Sequence, residues 1–77
     1  MKAYKDLRNV TKLLIESAVQ ENGFSTQPLH LYKDVASALE QNRSVHSIAT
    51  SFNVSESTVW LINEDLKDDV NIFKKFA

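Results

Sequence analysis

The stretch that decides the fold is SVHSIATSFNVSESTVWLINEDL, residues 44–66. Its apolar residues recur at helical spacing in two short runs, Ile48, Ala49 and Phe52 and then Val59, Ile62 and Leu66. Asn53-Val54-Ser55 separates the runs. Asparagine tolerates the left-handed conformation that ends many helices, and serine commonly caps the start of the next one. The pattern therefore predicts two helices joined by a tight turn, a helix-turn-helix.

The run IATSFNVSESTVWLI resembles the helix-turn-helix of bacterial transcription regulators and site-specific recombinases, which are homeodomain-like, and more distantly that of tryptophan-repressor-like proteins. The residues that carry the resemblance are Ile48, Ala49, Phe52, Val54, Ser55, Ser57, Thr58, Val59 and Ile62. The usual glycine of the turn is Asn53 here, and the basic residues that usually follow this run are absent. The resemblance implies a small sequence-specific transcriptional regulator that binds operator DNA, as a dimer, in a bacterium or phage.

Length and composition indicate one soluble domain, 1–77, with the motif at 44–67. The chain has 77 residues, of which 43% are hydrophobic, a formal net charge of −1 and no cysteine. The absence of cysteine excludes disulfides and thiolate metal sites. No apolar run approaches the roughly 18 residues of a membrane span, and charges interrupt any signal peptide near the start. We therefore expect a cytoplasmic protein with no membrane partner.

The remaining sequence predicts helices and no strand. Apolar residues at helical spacing predict a long helix from Lys2 to Gln20, which Asn22-Gly23 ends. Pro28 opens a second helix, and Gln41-Asn42-Arg43 ends it. Beyond Leu66, Asp68-Asp69 is expected to cap a short helix. The predicted fold is all-α, a small helical domain with a three-helix helix-turn-helix unit, a long N-terminal helix and a short C-terminal helix.

DNA binding would bring the second helix of the motif into a major groove. The outward residues expected to lie nearest the bases are Ser55, Glu56, Ser57 and Leu61. Basic residues at three- and four-residue steps are expected to form one stripe along the first helix, and the start of the motif adds two further phosphate contacts. The expected phosphate contacts are Lys5, Arg8, Lys12, Arg43 and Ser44. Ordinary solubilising charge is the alternative for each basic residue.

Acidic residues on the second helix of the motif support a different interpretation. Only Lys67 offsets the acidic residues on or just after it, Glu56, Glu64, Asp65, Asp68 and Asp69. Because duplex binding depends on Lys and Arg neutralising phosphates, the fold could instead be a protein-interaction module that modulates another regulator or polymerase. The candidate contacts are Trp60, Leu61, Phe73 and Phe76. Trp60 could also fold back over the core, and the acidic residues could form a solvated face.

Apolar residues near both ends of the chain raise the question of self-association. Leu13, Leu14 and Ile15 are consecutive, so at least one of them must be exposed or covered by another subunit. A homodimer and a monomer whose terminal helix folds back over the long helix both remain open at this point. A dimer would also add core to a short chain, since a domain of about 60 residues buries only about 60% of its unfolded surface.

Catalysis has little support in the sequence. His30 and His46 stand apart, with no second ligand at metal-binding spacing, and Gly23 is the only glycine. A phosphate-binding loop needs several glycines, and adjacent Asp68 and Asp69 make no acid–base pair. We therefore expect no enzyme activity, no catalytic residues, no metal and no cofactor.

Overall fold

The computed structural model describes the backbone of residues 2–23 and 26–76 and the side chains of residues 2–23 and 26–67. A short 3-10 turn, Tyr4–Asp6, precedes four helices: α1 (Asn9–Glu21), α2 (Pro28–Glu40), α3 (Val45–Phe52) and α4 (Glu56–Phe76). The described backbone contains no strand. The all-α prediction is confirmed, with α2, α3 and α4 as the three-helix unit.

The first helix begins later than its apolar spacing predicts. Tyr4–Asp6 forms a 3-10 turn, and both Leu7 and Arg8 are extended, with ψ of 155° and 151°. The expected single helix from Lys2 is therefore wrong, and α1 starts at Asn9. Long-range contacts explain the break, because Leu7 is buried in the core and the Arg8 N–H donates to the Oδ2 of Asp65 at 3.1 Å.

The ends of the middle helices follow the sequence closely. Asn42 after α2 has φ of 63°, and Asn53 after α3 has φ of 55°, so both asparagines are left-handed. The next N–H in each case reaches back over the last turn, from Arg43 to the carbonyl of Ala38 (3.3 Å) and from Val54 to that of Ala49 (3.0 Å). These are Schellman ends, in which the left-handed residue satisfies otherwise unpaired carbonyls.

The last helix is longer than expected. The backbone of α4 continues through Asp68-Asp69 to Phe76, so the separate C-terminal helix is wrong. The physical reason is the absence of a breaker, since 56–76 contains neither Gly nor Pro. An aspartate costs at most about 0.7 kcal/mol within a helix, far less than the roughly 3 kcal/mol of a proline.

Two central helices hold the core together. Both α2 and α4 pack against the other three helices. The largest fully buried apolar side chains come from all four, namely Ile15, Tyr32, Val35, Ile48, Val59 and Ile62. Ala49 is buried, and Val54 packs partly against the core beside the turn between α3 and α4. This packing holds the two helices of the motif in one orientation.

The helix α1 runs antiparallel beside α4. Arg8 before α1 meets Asp65, and Asn22 after α1 meets Asn53 before α4. Between these contacts, Leu14 and Ala18 line a shared groove with Ser55 and Thr58, among others. One flank of α4 is therefore covered, and its opposite flank stays open to solvent.

Candidate nucleic-acid interface

The turn between α3 and α4 is fixed by an asparagine pair. Asn53 has φ of 55° and ψ of 49°, and its Nδ2 donates to the Oδ1 of Asn22 at 2.7 Å. The Nδ2 of Asn22 in turn donates to the carbonyls of Ala18 (3.0 Å) and Asn53 (3.4 Å). The end of α1 thus braces the turn of the motif. The sequence indicates Asn22 only as a helix end, because its partner lies 31 residues away.

Serines cap both helices of the motif, and the cap at Ser55 is the one that the turn sequence predicts. The Oγ of Ser44 accepts from the N–H of Ser47 at 3.1 Å, and the Oγ of Ser55 accepts from the N–H of Thr58 at 3.2 Å. The Ser55 hydroxyl also lies 2.9 Å from the Oγ1 of buried Thr58. Both hydroxyls are therefore engaged within the molecule. Their contacts with bases and phosphates stay predictions, which would need the hydroxyls to be shared.

The side chain of Arg43 lies along α3. Its Nη2 bonds to the Oγ atoms of Ser47 (3.1 Å) and Ser51 (2.5 Å) and approaches the Ser47 carbonyl at 3.5 Å. These contacts hold a guanidinium and two hydroxyls together beside the start of the motif. Guanidinium and hydroxyl groups are common donors to phosphate oxygens. Ser47 and Ser51 are additions to the predicted set, and their four-residue spacing along α3 is the signal that could have found them.

The open flank of α4 carries polar groups around one aromatic residue. Glu56, Ser57 and Glu64 are exposed, and Trp60 between them is 52% exposed. The interpretation in which Trp60 folds over the core is therefore wrong. Leu61 is half-buried instead of fully outward. It follows Thr58 by three residues on the flank that faces α1, which explains its partial cover.

A histidine from α3 meets the first residue of α4. The Nδ1 of His46 lies 3.3 Å from the Oε1 of Glu56, and both side chains are exposed. A protonated imidazole would form an ion pair here, and a neutral one could donate only in the Nδ1–H tautomer. This contact joins the ends of the two helices that a major groove would meet first.

Arg8 is the clearest departure from the predicted phosphate contacts. Asp65 is fully buried, and its carboxylate accepts bonds from the backbone N–H and the side-chain Nε of Arg8. The Nη2 of Arg8 also lies 3.4 Å from Glu64. Asp65 is therefore not part of a solvated acidic face. Because a buried carboxylate needs its partner, Arg8 serves the fold first.

The predicted basic stripe is wrong as a single helical face. Lys5 lies in the 3-10 turn, Arg8 precedes α1, and only Lys12 lies within the helix. The Nζ of Lys12 approaches the carbonyl of Lys5 at 3.4 Å, so these two residues do lie close together. Their contact with phosphate stays a prediction. Phe73 and Phe76, expected at a protein interface, lie outside the described side chains.

Features that could support chemistry are few in the described part of the chain. No group of three or more His, Asp or Glu side chains there is arranged to hold a metal ion. Burial, and secondly the charge of Glu16, raises the pKa of the Tyr4 phenol above its ordinary value. The Tyr4 hydroxyl and the Thr11 hydroxyl are buried without a hydrogen-bond partner. None of the described helices has the length and apolar character to span a membrane.

Known proteins offer no independent assignment of this surface. Comparison with family models, curated proteins and solved structures finds no match to the chain. The resemblance of residues 48–62 to helix-turn-helix regulators therefore rests on the residues themselves. The features that bear on function are the turn at Asn53, the open flank of α4 and the cluster of Arg43 with Ser47 and Ser51.

Proposed function

We propose that the protein is a small transcriptional regulator that binds double-stranded operator DNA through α3 and α4. The observation that carries this proposal is the turn at Asn53, which joins two capped helices in the manner of a groove-binding helix-turn-helix. The open flank of α4 begins at its N-terminus, where a recognition helix commonly meets base edges. The bacterial or phage setting and the cytoplasmic location belong to the same proposal.

In this proposal, Glu56, Ser57 and Trp60 are the residues nearest the bases. A glutamate accepts from the amino group of cytosine, and a serine bonds to several base edges. Trp60 would contribute apolar contact, for example to a thymine methyl group. Ser55 and Leu61 contribute less, because one caps α4 and the other is half-buried.

Phosphate contacts would come from Arg43 with the hydroxyls of Ser44, Ser47 and Ser51. The Arg43 guanidinium already lies against Ser47 and Ser51, so little side-chain freedom would be lost on binding. Lys5 and Lys12 are the further candidates. With a net charge of −1, the chain gains little from general attraction to DNA, so its binding should depend on few contacts.

The test is selection of purified protein against random duplex DNA at low and moderate salt, followed by sequencing. Enrichment of a short site whose binding weakens steeply as salt rises would support the proposal. Arg43→Gln should weaken binding and reduce the salt slope by about one. Lys33→Gln, on the exposed surface of α2 outside the two motif helices, is the matched control. No retention at low salt would overturn DNA binding.

One observation favours a second candidate, a protein-interaction module. Trp60 is half exposed between Glu56 and Glu64, one helical turn away on each side. Tryptophan is enriched at binding hot spots, and its acidic neighbours oppose the approach of phosphates. Under this candidate, Trp60→Ala would abolish binding to a regulator or polymerase while circular dichroism and stability stay unchanged. Loss of specific DNA enrichment by Trp60→Ala would instead favour the DNA proposal.

A further inference from the structure

The outer face of α1 is an apolar row with no cover among the described residues. Leu13 is 62% exposed and Val10 is 50% exposed, and exposed Ser17 lies one turn beyond Leu13. Spacings of three and four residues put these side chains on one side of the helix. Such a row on a short domain is a typical feature of a contact surface. We refer to residues 10, 13 and 17 as the α1 face.

Opposite charges lie along one edge of the α1 face. Lys12 and Glu16 line a shallow depression together with Leu13 and Asn9. Lys12 comes two residues before Leu14, and Glu16 comes two residues after it. This symmetry about the level of residue 14 along the helix decides which partner fits. A helix that lies antiparallel on the α1 face must offer a glutamate where α1 has a lysine, and a lysine where α1 has a glutamate.

We propose that a second copy of the chain covers the α1 face, with the two α1 helices antiparallel about a two-fold axis that passes close to Leu13, at the level of residue 14 along the helix. An antiparallel two-fold contact brings the same edge of both helices together, because such a contact is isologous. Lys12 of each copy then lies opposite Glu16 of the other, and Leu13 packs against its counterpart. A parallel pair would bring the Lys12 edge against the opposite edge of α1 and would lose both ion pairs.

The size of α1 sets the strength of this contact. Thirteen residues of helix extend about 20 Å. One helix face of this length buries less than the roughly 1,200–2,000 Å² of a stable, specific interface. The self-association is therefore weak and concentration-dependent in solution. Self-association through α1 is independent of DNA binding through α3 and α4, and it is tested by a different measurement.

The test is sedimentation equilibrium of the full chain at loading concentrations from micromolar to millimolar. The weight-average mass should rise from that of a monomer towards that of a dimer. Leu13→Gln should raise the dissociation constant by about tenfold or more, because it removes the most exposed apolar side chain from both copies. Leu29→Gln, on the exposed surface of α2, is the matched control and should leave the constant unchanged.

Charge reversal tests the antiparallel register itself. Lys12→Glu and Glu16→Lys should each weaken association by about three- to tenfold, because like charges then face one another twice. The double variant exchanges the two charges and should restore association. Circular dichroism checks that each variant stays helical. A monomer mass at every concentration, or an unchanged constant for Leu13→Gln, would overturn the proposal. A double variant that is no tighter than the single ones would overturn the antiparallel register.

Discussion

The carboxylate of Asp65 lies against Arg8, 57 residues earlier in the chain, and accepts from both its backbone N–H and its side-chain Nε. The backbone bond, at 3.1 Å, also places a negative charge at the first turn of α1. A negative charge at a helix N-terminus stabilises the helix. One buried acid thus caps α1 from α4 and fixes the antiparallel arrangement of the two helices.

We expect Arg8→Ala to lower the free energy of unfolding by about 2–4 kcal/mol, because it leaves the Asp65 carboxylate buried without its side-chain partner. Glu64→Gln is the matched control. It breaks only the exposed 3.4 Å pair with Arg8 and should cost less than about 1 kcal/mol. Urea unfolding followed by circular dichroism measures both. Equal losses in the two variants would show that the buried contact carries no special weight.

The left-handed Asn53 provides a second stability prediction. Asn53→Ala should cost about 1–2 kcal/mol, since a β-carbon is unfavourable at positive φ and alanine cannot bond to Asn22. Asn53→Gly loses the same side-chain bond and relieves the backbone, so it should be less destabilising than Asn53→Ala. Thermal unfolding of the two variants gives the comparison. A glycine variant less stable than the alanine variant would contradict the role given to the backbone conformation.

Two buried threonines make a matched pair. The Thr11 hydroxyl is buried without a partner, whereas that of Thr58 lies 2.9 Å from the Ser55 hydroxyl. Thr11→Val should therefore leave stability unchanged or raise it by about 1 kcal/mol, and Thr58→Val should lower it by about 1 kcal/mol. Both replacements preserve shape, so cavity effects are small. Urea unfolding measures the stability of both variants. A loss of stability in Thr11→Val would imply that the Thr11 hydroxyl has a hydrogen-bond partner.

Stability at alkaline pH should depend on Tyr4. Burial, and then the Glu16 charge, raises the pKa of its phenol above 10.0. The folded state therefore favours the neutral phenol. The stability that comes from burying the neutral phenol is fully present below the pKa of Tyr4 in the unfolded chain. It is lost as pH rises through the raised pKa of Tyr4 in the folded state. Tyr4→Phe should flatten the decline above pH 10 with little change at neutral pH. An identical alkaline decline in both proteins would assign it to other groups.

Local signals explain the parts of the fold that could be predicted from the sequence. The caps at Ser44 and Ser55 and the left-handed Asn53 involve neighbours within a few residues, so residue type alone indicates them. The same reasoning predicted the C-terminal ends of α1 and α2. Asp68-Asp69 misled the prediction, because an N-cap signal is weak where no residue ends the preceding helix.

Long-range partners explain the parts that could not be predicted. Arg8 has the positive charge and the hydrogen-bond donors expected of a phosphate contact. Only the position of Asp65 in the folded chain shows that Arg8 pairs with a buried carboxylate instead. The sequence of α4 nevertheless contains a signal that Asp65 is buried. Asp65 follows Thr58 by seven residues and Ile62 by three, which puts it on the inward side of α4. A charge at an inward position needs a partner, and a basic residue elsewhere in the chain was the natural candidate.

The contact between Arg8 and Asp65 also affects the order in which the core forms during synthesis. Residues 2–8 leave the ribosome well before the carboxylate that holds Arg8, which emerges 57 residues later. Until then, α1 lacks the α4 surface that it packs against, while α2 can already pair with α1 and with α3. The contact between Arg8 and Asp65 is therefore among the last of the described core contacts to form. A nascent chain stalled before residue 65 would hold α1 against α2 alone, without the contact that fixes Arg8, and would be more exposed to proteases and to other chains.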